Sequence, residues 1–79
     1  MNNHDKVRIL EDVVGLSDEI VNVAGSEGRV LNANVTQDDW EATTPTGKAW
    51  HELIGPVVEV EMDNGNIVML YAHKLEVVS

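Results

Sequence analysis

Pro56-Val57-Val58-Glu59-Val60-Glu61-Met62-Asp63-Asn64-Gly65-Asn66-Ile67-Val68-Met69-Leu70-Tyr71 is the stretch on which the fold turns. Two runs rich in strand-forming residues flank Asn64-Gly65, the dipeptide preferred in two-residue type I′ hairpin turns. Centring the turn there pairs Met62 with Ile67, Val60 with Met69 and Val58 with Tyr71, so one face of the hairpin is wholly apolar. The other face sets Glu61 against Val68 and Glu59 against Leu70, acidic along one strand and apolar along the other. In this register Val68 and Leu70 need a cover, from the first or last strand or from a partner.

Downstream, Ala72-His73-Lys74 is long enough for one 3-10 turn before a final strand, Leu75-Glu76-Val77-Val78. Upstream, residues 36–55 form one long connection, with an acidic cluster at Asp38, Asp39 and Glu41, a Thr/Pro/Gly stretch over residues 43–47, and both tryptophans. Within it, residues 49–54 can form a helical turn or two closed by Gly55, since Pro56 cannot continue a helix. Long loops in compact domains are usually functional or ordered by a partner. Nearer the start, residues 6–14 mix β-branched and charged residues as a strand does, and residues 15–20 read as a loop. Val21 and Val23 alternate with Asn22, Gly25 and Gly28 allow the positive φ of a tight reversal, and a strand follows over residues 29–35. Five short strands, one long loop and no long helix predict an all-β fold, a small closed barrel in which closure removes the sheet edges.

Length and composition bound the rest. Seventy-nine residues hold one small domain, residues 1–79. The absence of cysteine excludes disulfides, thiol catalysis and an iron–sulfur cluster held by this chain alone. Five basic residues against 14 acidic ones give a net charge of −9, which opposes nucleic acid and anionic membranes as partners. No apolar run approaches the roughly 20 residues of a membrane span, and the start Met-Asn-Asn-His-Asp has no secretory pattern, so a soluble, cytoplasmic chain is expected.

Tests for chemistry fail one by one. His4, His51 and His73 are too scattered to share a metal. His51-Glu52-Leu53-Ile54-Gly55 puts glycine where the zinc-protease motif needs its second histidine, and Thr46-Gly47-Lys48-Ala49 lacks the hydroxyl a phosphate loop needs for magnesium. Asn34-Val35-Thr36 is a glycosylation sequon without a secretory context. The Asp38-Asp39-Trp40-Glu41 cluster reads as a solvated acidic loop, and no serine or threonine stands in a fixed relation to a histidine. A noncatalytic chain with no bound cofactor or metal is expected.

Several of these segments resemble the variable (alpha) chain of ferredoxin–thioredoxin reductase, a small SH3-like barrel. Lys6-Val7-Arg8-Ile9-Leu10 is similar to its K-V-R-V first strand, and Gly25-Ser26-Glu27-Gly28-Arg29-Val30 to its G-x-E-G-x-V turn. Val35-Thr36 with Trp40 resembles a V-T-E-W-type stretch. Pro56-Val57-Val58-Glu59-Val60 resembles L-P-V-x-V, and Ala72-His73 with Leu75-Glu76-Val77-Val78 resembles the A-H…L-E-V ending. The resemblance covers most of the chain in scattered pieces. It departs at residues 15–20, which lack a histidine-rich stretch, at Asp63-Asn64-Gly65-Asn66, which gives a more regular hairpin, and at Trp50 and His51, which have no counterpart. It implies a five-stranded SH3-like barrel with one long loop and a short 3-10 turn before the last strand. It further implies a noncatalytic subunit packed against a separate protein that carries a four-iron cluster and a redox-active disulfide.

Together these readings predict an accessory, protein-binding subunit. Trp40, Trp50 and His51 in the long loop, with Val68 and Leu70 on the hairpin, form the expected partner surface, because large apolar side chains dominate such contacts. The alternative is a small acidic inhibitor or nucleic-acid mimic, for which Glu59 and Glu61, two apart on one strand with Asp63 next in the row, would occupy a basic groove on an enzyme.

Overall fold

Period-two burial sets the strands. The computed structural model describes residues 1–15, 17–43 and 49–78. In β1 (Lys6–Ile9) Val7 and Ile9 are fully buried while Lys6 and Arg8 face outward, and in β4 (Glu27–Asn32) Gly28 and Val30 are buried while Arg29 and Leu31 are exposed. β2 (Val13–Val14) and β3 (Ile20–Asn22) pair with each other as a separate small hairpin. After β4 come α1 (Gln37–Thr43), a 3-10 turn at Trp50–Glu52, β5 (Val57–Met62), β6 (Ile67–Tyr71), a second 3-10 turn at Ala72–Lys74 and β7 (Leu75–Val77). The main sheet is antiparallel with strand order β6-β5-β4-β1-β7. Among the described residues no ladder joins β6 to β7, so this sheet is not closed by hydrogen bonds. The mostly β expectation and the 3-10 turn before the last strand hold, with seven strands described where five were expected.

One core lies on one face of the main sheet. Val7, Ile9, Val30, Val58, Val60, Met62, Val68 and Leu75 form it, with Val13, Val21, Ala33, Leu70 and Ala72 packed at its border. Side chains of the β2–β3 hairpin therefore help to cover this face. Asn66, beside the β5–β6 turn, ties the small hairpin down: its Nδ2 donates to Val21 O at 3.3 Å and to Oδ1 of the buried Asn22 at 3.4 Å.

The central hairpin is real, but its register differs by one residue from the expectation. Val58 faces Leu70, Glu59 faces Met69, Val60 faces Val68 and Glu61 faces Ile67. The loop has three residues, Asp63-Asn64-Gly65: Gly65 N–H donates to Met62 O at 2.9 Å and Met62 N–H to Asn66 O at 2.7 Å. Gly65 alone takes a positive φ, +92°, whereas a type I′ turn needs one at Asn64 as well. The loop is thus a type I turn followed by a left-handed glycine. Because side chains alternate, the slip exchanges the faces of β6. Val68 and Leu70 join Val58, Val60 and Met62 at the core, and Ile67 is left outside, 59% exposed.

Three further differences have local causes. The expected first strand divides at Leu10, whose N–H donates to Lys74 O at 2.9 Å and so leaves the ladder with β4. Gly25 turns the chain at φ +90°, but Gly28 lies inside β4, where a Cβ would stand 2.5 Å from Glu61 O. The long connection contains α1, capped reciprocally: Asp39 N–H donates to Thr36 Oγ1 at 3.3 Å and Thr36 N–H to Asp39 Oδ2 at 3.1 Å.

Candidate protein-binding groove

β5 and β6 carry apolar residues on both faces, and the second face builds the site. On β5, Val57 and Val58 are adjacent and both buried, so one of them points away from the main core. Val57, with Met69 and Tyr71 from β6, forms an apolar floor on that side. Trp40 from α1 and Leu53, just past the first 3-10 turn, stand over it as walls, and Leu70 completes the lining. Glu11, Asp12 and Lys74 form the polar rim. The groove encloses about 280 Å³.

Each wall is held by local chemistry. α1 is anchored to the end of β4 by Asn32, whose Nδ2 donates to Asp39 Oδ2 at 3.2 Å. The backbone N–H of Thr36 holds the Asp39 carboxyl below its usual range, helped by the Thr36 hydroxyl and the Asn32 amide against some desolvation. Trp40 N–H donates to Thr36 O at 2.9 Å, so the cap that starts α1 also sets the backbone of the tryptophan. The Trp50–Glu52 turn is closed by Leu53 N–H on Trp50 O at 3.1 Å, and Ala49 N–H donates to the Glu52 carboxylate at 3.1 Å. Across the groove, Tyr71 stacks on His73 with ring centroids 5.3 Å apart. Lys74 Nζ meets Glu11 Oε2 at 2.5 Å, and Asp12 Oδ1 accepts Ala24 N–H at 2.7 Å.

Of the residues singled out in the sequence, Trp40 and Leu70 meet in this groove. Trp50, half-buried, lines a neighbouring hollow with Val35 and Pro56, which shares Leu53 and Val57 with the groove. His51 is exposed and lines neither. Val68 is in the core and offers no outward surface, which corrects its expected place. Glu61 is exposed opposite Arg29 and Ile67, and Glu59 is half-buried opposite Asn32 and Met69. Leu53, Val57, Met69 and Tyr71 were missed. The expected register puts Met69 and Tyr71 on one apolar face with Val58, Val60 and Met62, although the unbroken apolar run Ile67 to Tyr71 signals a strand covered on both faces.

The outer face of β1 and β4 is built differently. Glu27 accepts from Arg8 Nη2 at 2.9 Å and pairs with Lys6 Nζ at 3.3 Å, and these cations, Arg8 first, hold its carboxyl below the usual range. Arg29 Nη1 donates to His4 O at 3.3 Å. Among the described residues no three His, Asp or Glu side chains converge as metal ligands, and no helix is long and apolar enough to cross a membrane. No protein-family model matches this chain, and no curated protein or solved structure matches it either.

Proposed function

We propose that the chain is a noncatalytic, protein-binding subunit that docks its partner in the groove between α1 and the β5–β6 hairpin. The carrying observation is the groove itself, where Trp40, Leu53, Met69 and Tyr71 line one apolar depression. Aromatic and methionine side chains are enriched in the centre of protein interfaces, with polar residues at the rim, and the groove has this arrangement. An SH3-like barrel is the finer reading of the fold. It is supported by the strand order β6-β5-β4-β1-β7, by the small β2–β3 hairpin between β1 and β4, and by the 3-10 turn before β7.

In the reductase-like form of this reading, the partner is an iron–sulfur catalytic subunit and supplies all the redox chemistry, since this chain has no cysteine. The test is co-purification of the full chain from its native host, as wild type and as Trp40→Ala, with circular dichroism to verify the fold of both. A stoichiometric companion held by wild type and lost by the variant is expected, and a cysteine-rich iron–sulfur protein as that companion supports the reductase-like form. A wild-type chain that emerges alone, or a companion indifferent to the substitution, overturns docking at the groove. The acidic-mimic alternative draws on the net charge of −9, but Arg29 stands directly beside Glu61 in its strand row. A mimic's complex would dissolve in moderate salt, whereas a mainly apolar contact survives it.

A further inference from the structure

Among the described residues, the rim of the groove carries two carboxylates, Glu11 and Asp12, against one ammonium. Among the described lining residues Lys74 is the one cation, and that ammonium is engaged by Glu11. Asp12 beside it receives only a backbone N–H from Ala24 and meets no cation among the described residues. Elsewhere the described cations are held on the β1–β4 face: Lys6 and Arg8 by Glu27, Arg29 by a backbone carbonyl. At about 280 Å³ the groove has room for a few side chains of a polypeptide.

Resting on the docking function above, we propose that the groove's occupant is a peptide segment of the partner in which an arginine or lysine stands beside apolar side chains, and that Lys74 holds that cation's place in the free protein. On docking, the incoming cation takes over Glu11 and engages Asp12, the Lys74 ammonium swings out to solvent, and the apolar neighbours cover Tyr71 and Trp40. The exchange is cheap, because the Glu11 side chain is 63% exposed and ion pairs in such positions are weakly held. The backbone is unaffected, since Lys74 O still accepts the Leu10 N–H. Two substitutions therefore act with opposite sign. Asp12→Asn removes charge but keeps the Oδ1 that accepts Ala24 N–H, and weakens binding; Lys74→Gln removes the competing cation, and strengthens it.

The experiment is selection of a random synthetic heptapeptide display library on the immobilised full chain. Enriched peptides are then titrated against wild type, Asp12→Asn and Lys74→Gln, with amide NMR shifts locating the site. Peptides combining arginine or lysine with apolar residues are expected, shifting Trp40 and Tyr71, bound about fivefold more weakly by Asp12→Asn and about threefold more tightly by Lys74→Gln. Groove-binding peptides without a basic residue, or a Lys74→Gln variant that binds basic peptides less well, overturn this inference and leave the docking function standing. A library from which no peptide shifts groove resonances overturns both.

Discussion

Gly28 has no side chain because the backbone of β5 occupies the space: a Cβ would stand 2.5 Å from Glu61 O and 2.9 Å from Met62 Cα. Gly28→Ala must push two paired strands apart and is expected to cost about 1–3 kcal/mol in urea unfolding. Gly25→Ala meets nothing within 4 Å but is held at φ +90°, so its cost, about 1 kcal/mol, is conformational. Both glycines read alike in the sequence, because a close approach belongs to the partner strand and leaves no local mark. Glu27 supplies a prediction in pH. Its folded carboxyl titrates below the usual range because of Arg8 and Lys6, so the unfolded chain binds the proton first as pH falls. The resulting stability is fully present above the ordinary glutamate value of about 4.3 and is lost as pH falls through the lower folded value. Glu27→Gln lacks it at neutral pH, so the stability curves of variant and wild type, followed by denaturant midpoint against pH, are expected to converge in acid.

At the scale of elements, α1 and the central hairpin carry the site. α1 spans seven residues, too short to stand alone in water, and depends on its cap. Thr36→Ala is expected to cost about 0.5–2 kcal/mol, read as faster amide exchange at Trp40, whose N–H donates to Thr36 O, with weaker partner binding. Thr36-Gln37-Asp38-Asp39 is a visible capping signal, but no apolar repeat follows it to announce a helix. The hairpin was legible in place and not in register. Ile67 to Tyr71 are apolar without a break, so no alternation decides which set faces the core, and Asn64-Gly65 fits a two-residue turn as well as the end of a three-residue one. That slip exchanged Val68 for Met69 and Tyr71, and with them half of the groove. Trp40 was recognisable because a large aromatic in a long connection has few other uses, whereas Leu53 and Val57 look like any core residue until the connection is seen folded over them.

Across the whole molecule, two apolar layers share one hairpin: the core beneath it and the groove above. Met62 is 2% exposed in the core, and Met62→Ala is expected to remove about 2–5 kcal/mol, a large part of the roughly 5–15 kcal/mol of a typical domain. Its thermal melt should fall without altering the groove residues, whereas Trp40→Ala should impair docking with a smaller change in the melt. The pairing of β1 has a consequence in time. β1 lies between β4 and β7, and joining Ile9 to Leu75 closes nearly all of the described chain into one loop. Contacts so distant in sequence are costly to close before other structure has drawn the strands together, and folding in about milliseconds to seconds is the expected regime. Until Leu75 arrives, Val7 and Ile9 belong to an edge strand with unpaired backbone groups, a surface on which a second nascent chain could add. Haste in the last strand, more than depth in the core, would then decide how much of the newly made protein escapes aggregation.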